Sequence, residues 1–326
     1  MASKTIGIEI GSDTLKLSVL KGNHIQRMVS AQMPDHLVQE GRAISAEMLS
    51  SFVKSLLKEN HIRGNECALV LPPQLVIGLQ LTLPLMSDEE LLLNLPYEFH
   101  DYVGKDGDEF DYDYIVNNVQ GNFVDIYAAA VRRNLVEDYW GIFKKAGLKL
   151  KAAMPAEMAW SNIISNAPQA PKKLAVVDVG HSATRISIFV DGKFVMCKAV
   201  DFGGHLFDET IASELQMDPR AARTHKEANQ DDVLNAEFMQ QPFGAVAIEV
   251  MRVISFYNYS LAPEDEPLKD VYYCGGSSVI EMLRTAIQKA TELEVKPISQ
   301  LLGEQTEDQE QALQCALSVG AALQLQ

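Results

Sequence analysis

The chain has 326 residues, with 28 Lys+Arg against 44 Asp+Glu for a net charge of −16, and carries no basic stripe, which argues against binding to a nucleic-acid backbone. Four cysteines without CxxC spacing and seven histidines without HxxxH or HxH pairing argue against a disulfide framework and a zinc cage. The length leaves room for two domains with sizeable cores.

The opening MASKTIG runs directly into a strand, leaving no room for a leader, and no apolar stretch approaches the ~20 residues of a membrane helix. A soluble, cytoplasmic protein is expected. Strands are predicted at about Thr5–Ile10 and Thr14–Leu20, with Lys21-Gly22-Asn23 turning into a third. A helix is predicted from Ser45 to about Asn60, because Met48, Leu49, Phe52, Val53, Leu56 and Leu57 form one apolar stripe and Ser45 suits the N-cap. The stretch from Glu66 to Lys151 reads as an inserted α+β unit. Its helix starts are marked by Ser87 with Glu90, a capping box, and by Asn134 with Glu137. EFHDYVGKDGDEFDYDY reads as a solvated acidic loop with aromatics tucked beneath it. The Pro-containing SNAPQAPKK, Ser165 to Lys173, marks the best domain boundary.

Beyond it a meander is predicted at Leu174–Val179, Thr184–Val190 and Lys193–Val200, with Asp191-Gly192 as a hairpin turn. Helices follow at about Gly204–Leu215, Pro219–Ala228 and Pro242–Leu261. A strand VYYCGGSS then leads into a helix from Ser278, with Ser277 and Ser278 as caps, and a last helix covers about Asp308–Leu323.

The chain carries one motif twice. TIGIEIGSDTLKLSVLKGN and LAVVDVGHSATRISIFVDG align without a gap, placing Glu9 on Asp178, Gly11 on Gly180, Lys16 on Arg185 and Ser18 on Ser187. A repeat of this kind marks a duplicated unit. Each copy is a hairpin whose tight turn presents backbone N–H groups, the kind of nest that holds phosphate, and two such turns facing across a cleft would grip a nucleotide's phosphates. In VYYCGGSS, the bare backbone of Gly275 and Gly276 can lie against a planar ring.

This order of motifs resembles the actin and sugar-kinase superfamily, and within it the type IV pilus assembly protein PilM family, related to the cell-division protein FtsA. The resemblance covers essentially the whole chain. It rests on GIEIGSDTLKL, LPLMSDEELLLNLPYEFHDYV, YAAAVRRNLVEDYWGIFKKAGLKLKAAMPAEMAW, VVDVGHSATRISIF, DFGGHLFDETIASEL and YYCGGSS. It implies an α/β, actin-like (duplicated ribonuclease H-like) two-domain fold with an inserted 1C subdomain. Domain I would be 1–165, with the insert at about 66–151 and the C-terminal helix 308–326 returning to it; domain II would be 172–307. It also implies ATP with Mg²⁺, bound by Gly11, Ser12, Thr14, Lys16, Gly180, Ser182, Thr184, Gly204, Lys226, Gly275, Gly276 and Ser277. Glu9 and Asp178 would position the metal's water shell, and Gly320 would permit a close crossing between the domains.

The implied role is a scaffold. It would bind the cytoplasmic tail of a PilN-like membrane protein, reach the membrane only through that partner, and act indirectly on the pilus assembly ATPases; self-association is a further possibility for the insert. Leu91, Leu92, Leu95 and Tyr97 are candidates for the groove, or for packing on the insert's own sheet. Glu9 in place of the usual Asp, Asp13 inside the phosphate turn, His181 in the second turn and Arg223 in place of a Glu depart from the superfamily pattern, so slow or absent hydrolysis is expected. The alternatives are a small-molecule kinase, for which no Asp base stands out, and an FtsA-like division protein, which would continue into a membrane-targeting helix.

Overall fold

The computed structural model describes residues 4–34, 37–262, 266–303 and 308–326. It divides into two units, Met1–Asn162 with Leu317–Gln326, and Ile163–Ala316. In the first, β1 (Lys4–Ile10), β2 (Thr14–Lys21) and β3 (His24–Gln32) form an antiparallel meander. A short hairpin, β4 (Val38–Gln39) with β5 (Arg42–Ala43), leads to α1 (Ala46–Glu59), whose Ser45 cap accepts from the Met48 N–H. β6 (Glu66–Val70) pairs parallel with β1. Next come β7 (Val76–Pro84), α2 (Asp88–Glu98), α3 (His100–Val103), β8 (Phe110–Gln120) and β9 (Phe123–Arg132). α4 (Arg133–Ala146), β10 (Lys149–Met154) and α5 (Ala156–Ser165) follow, and β10 pairs parallel with β6. The result is a five-stranded sheet, β10-β6-β1-β2-β3, and a three-stranded sheet, β7-β9-β8.

The stretch 66–151 is therefore not one insert. Its end strands, β6 and β10, complete the larger sheet, and Leu135, Tyr139, Ile142 and Phe143 of α4 join Leu49, Val53 and Leu56 of α1 in that sheet's core. The part with its own sheet and core is 76–132, built around Leu83, Leu91, Leu95, Phe99, Phe110 and Ile126. Leu91 and Leu95 are thus core residues, not groove residues, while Leu92, Leu93 and Tyr97 are exposed on the other side of α2. The capping box at Ser87 forms, with Ser87 N–H donating to Glu90 at 2.9 Å. The one expected at Asn134 does not: α4 begins after Arg132, without a side-chain cap. The acidic stretch is not all loop, because α3 and β8 occupy much of it. Glu109 and Asp111 pair with Arg132 and Arg133 at 2.8 Å each.

The second unit repeats the first. β11 (Lys173–Val179), β12 (Thr184–Val190) and β13 (Lys193–Val200) form a meander, followed by α6 (Gly204–Leu215), α7 (Pro219–Glu227) and α8 (Gln240–Ser260). β14 (Asp270–Cys274), α9 (Glu281–Thr291) and β15 (Val295–Pro297) complete the sheet β13-β12-β11-β14-β15, the same order as in the first unit. Pairing agrees residue by residue: Glu9 faces Lys16 as Asp178 faces Arg185. Even the register shift at Val19/Leu20 recurs at the matching Ile188/Phe189. Asp191 and Gly192 both have positive φ, as a two-residue hairpin turn requires.

α10 (Gln309–Leu323) enters the first unit at Leu317. There a Cβ on Gly320 would stand 2.2 Å from Ala159 O, and one on Gly7 would stand 1.7 Å from Ser318 O. The close crossing at Gly320 is thus with α5 inside the first unit, not between two domains. Among the described residues no helix is long and apolar enough to cross a membrane.

Candidate functional site

In the first unit Glu9 and Lys16 are cross-strand neighbours on one face of β1–β2, and their side chains meet at 2.7 Å, Nζ to Oε1. The turn joining these strands is closed by the Gly11 N–H donating to Thr14 O at 2.9 Å. Ser12 is exposed at its tip. The second unit builds the same turn: Gly180 N–H donates to Ala183 O at 3.0 Å, and Ser182 is exposed at the tip.

More of the candidate residues converge on this second turn. Gly204 N–H donates to Gly180 O at 3.0 Å and His205 N–H to His181 O at 2.8 Å, so the start of α6 lies directly on the turn. Gly203 allows that approach, since a Cβ there would stand 2.7 Å from both Gly180 O and His181 O. Ser277 Oγ donates to Gly180 O at 3.4 Å, and Ser277 N–H to Val179 O at 3.0 Å. Gly275, at φ +99°, leaves room for Asp178, whose Oδ1 would be 2.4 Å from a Cβ there. Asp178, Gly180, Gly204, Gly275 and Ser277 thus gather at the carboxyl ends of the parallel strands β11 and β14, where α/β sheets place ligands.

Several expected roles change. Thr184 is fully buried and its hydroxyl donates to Phe202 O at 2.6 Å, so it ties the meander together and is not presented to a ligand. Ser277 and Ser278 do not cap α9, which begins at Glu281 after an Ile280 N-cap without a side-chain bond; Ser278 Oγ donates to Gly275 O at 2.6 Å. Arg223 pairs along its own helix with Glu227 at 2.8 Å. Lys226 Nζ donates to Gly204 O at 3.0 Å and stands 2.6 Å from Asp208 Oδ1, an ion pair whose orientation is not that of an aligned hydrogen bond. Asp208 was not legible as a site residue, although a signal existed. Gly204, Phe207, Asp208 and Ile211 are the buried face of α6 at helical spacing, and an acid on such a stripe calls for a cation.

The residues present fit a nucleotide. Gly276 is exposed, with no atom beyond its chain neighbours within 4 Å of a Cβ position, which leaves bare backbone for a planar base. Among the described residues no group of three or more His, Cys, Asp or Glu is placed to hold a metal ion. Mg²⁺ bound with phosphates does not need such a group, since one or two carboxylates suffice.

The duplicated five-stranded sheets, with matching turns, define an actin-like protein. The described fold is similar to the ethanolamine utilization protein EutJ from Carboxydothermus hydrogenoformans (TM-score 0.64, 16% identity, 99% of this chain and 90% of that one). It is also similar to ADP-bound MreB5 of Spiroplasma citri (TM-score 0.53, 11% identity, 95% and 98%). The chain belongs to the type IV pilus assembly protein PilM family, whose model matches residues 7–324. It is likewise similar to a solved PilM–PilN type IV pilus biogenesis complex, at TM-score 0.83 and 22% identity over 98% of both chains.

Proposed function

We propose that this protein is an ATP-binding scaffold of a type IV pilus or related secretion machine. ATP with Mg²⁺ is held by Gly11, Ser12, Thr14 and Lys16 of the first turn and by Gly180, Ser182, Gly204, Gly275, Gly276 and Ser277 of the second unit. Glu9 and Asp178 hold water of the metal. The observation that carries this reading is the duplicated turn, closed by the same backbone bond at Gly11 and Gly180. Charge-assisted contacts to phosphate are strong, so calorimetry is expected to find markedly weaker ATP binding in Lys16→Ala than in the wild type. Equal affinity would sink the assignment.

Turnover is slow or absent, because Asp13 puts a negative charge in the first turn and the Lys16 charge is shared with Glu9. A measured rate of about 1 s⁻¹ or more would refute this. Membership of the PilM family, and the likeness to a PilM seen with PilN, support the cytoplasmic tail of a PilN-like protein as the partner. That tail recruits the protein to the inner face of the membrane.

A further inference from the structure

We propose that Asp208 and Lys226 act as a positioning pair for the phosphate turn of the second unit, and that Lys226 does not touch the ribose or base. This rests on the nucleotide reading above. The side chains are 4% and 10% exposed, and their charges meet at 2.6 Å. Of the three donors of Lys226, one is given to Gly204 O at 3.0 Å, while the ammonium charge sits against the Asp208 carboxylate as an ion pair. Turning Nζ toward a ligand would leave a buried carboxylate uncompensated, which proteins avoid.

What the pair holds is one bond away from the phosphate turn. Lys226 grips the carbonyl of Gly204, and the N–H of the same residue donates to Gly180 O, while His205 N–H donates to His181 O. The peptide between Gly203 and Gly204 cannot be held off by a side chain, since a Cβ at Gly203 would meet the turn's own carbonyls at 2.7 Å. A shift of Lys226 therefore passes directly into the backbone of Gly180–His181. Asp208 sets where Lys226 stands, and its influence on phosphate reaches the ligand only through these contacts.

The two roles predict different ligand dependence. A positioning pair affects ligands with phosphates and spares adenosine; a direct ribose or base contact affects adenosine as well. Calorimetric titration of ATP, ADP and adenosine would be done on the wild type, Asp208→Asn, Lys226→Met and the double variant, with thermal melts on each. We expect each single variant to weaken ATP and ADP about tenfold, the scale on which partners behind a ligand contact act. The double variant should be no worse than either single one, as for residues acting as one unit, and adenosine should be unchanged. Loss of adenosine binding in Lys226→Met equal to the loss of ATP binding would overturn the proposal, as would folded variants that bind ATP like the wild type. If a single variant fails to fold, the double variant, which removes both charges together, carries the same comparison. A wild type that binds none of the three ligands would instead overturn the nucleotide reading itself.

Discussion

Glu9 Oε1 lies 2.7 Å from Lys16 Nζ across the β1–β2 ladder, and both side chains are nearly buried. The lysine expected at a phosphate is therefore also the counter-charge of a carboxylate. Lys16→Ala removes the counter-charge of that nearly buried carboxylate, and is expected to cost about 3 kcal/mol of stability. The charge-free double variant Glu9→Gln/Lys16→Met is expected to lose less. Urea unfolding at neutral pH compares them, and an equal loss would show that packing, not charge, is what Lys16 contributes.

Two glycines of the first unit stand where no side chain fits. Gly7 faces Ser318 O and Gly320 faces Ala159 O, both backbone atoms that cannot swing aside. Gly7→Ala and Gly320→Ala are each expected to cost about 3 kcal/mol, the upper part of the overpacking range. Gly141, inside α4 with no atom within 4 Å of a Cβ position, is the contrast. Gly141→Ala is expected to raise stability by about 0.5–1 kcal/mol, since alanine restricts the unfolded chain. Thermal melts of the three variants check both signs.

The repeat was legible because strand pattern, turn glycine and pairing register are all local, so aligning Glu9 with Asp178 also aligned the hydrogen bonds. Sheet membership was not. ECALV is a short apolar strand, and nothing in its sequence says that it pairs with β1 instead of starting a separate unit. The cap of α4 was misplaced because Asn134 suits a cap, but the chain is already helical from Arg133. At the site, glycines marked the turns correctly. The ion pair that fixes Lys226 joins two helices, and only the fold brings Asp208 to it.

α2 should carry a pH signature. Bonds from the Ser87 backbone N–H first, and from its hydroxyl second, hold Glu90 below the ordinary carboxylate value of 4.5. The folded value is the lower one, so the stabilisation is present above the ordinary value and is lost as pH falls through the depressed one. Glu90→Gln is expected to exchange its α2 amides faster than the wild type at neutral pH, with the difference closing in acid. A gap that persists unchanged in acid would contradict the assignment.

Burial pushes the Cys67 thiol up to about 12, so almost no thiolate, the reactive form, exists near neutral pH. Cys197, partly exposed on β13, is expected to react first with a thiol reagent in the native protein. Cys67 should be labelled only once denaturant opens the β1–β6 sheet. Mass spectrometry of the labelled peptides reads the order, and labelling of Cys67 without unfolding would show that this strand opens locally.

The two faces of α2 separate folding from partner binding. Leu91 and Leu95 are 2% and 0% exposed in the core of the smaller sheet, whereas Leu93 and Tyr97, one helical turn apart, are 68% and 78% exposed. An exposed apolar pair at this spacing adds only about 0.2–0.5 kcal/mol to a helix, so a docking role is the one worth testing. Leu93→Asp and Tyr97→Glu are expected to leave the melting temperature nearly unchanged, as surface substitutions do. If this face takes the tail of a PilN-like protein, both should weaken its capture by the full chain. Leu95→Asp is expected to unfold the subdomain, because it buries an unpaired charge. If Leu93→Asp and Tyr97→Glu fold normally and bind a synthetic tail peptide as tightly as the wild type, the tail docks elsewhere on the chain.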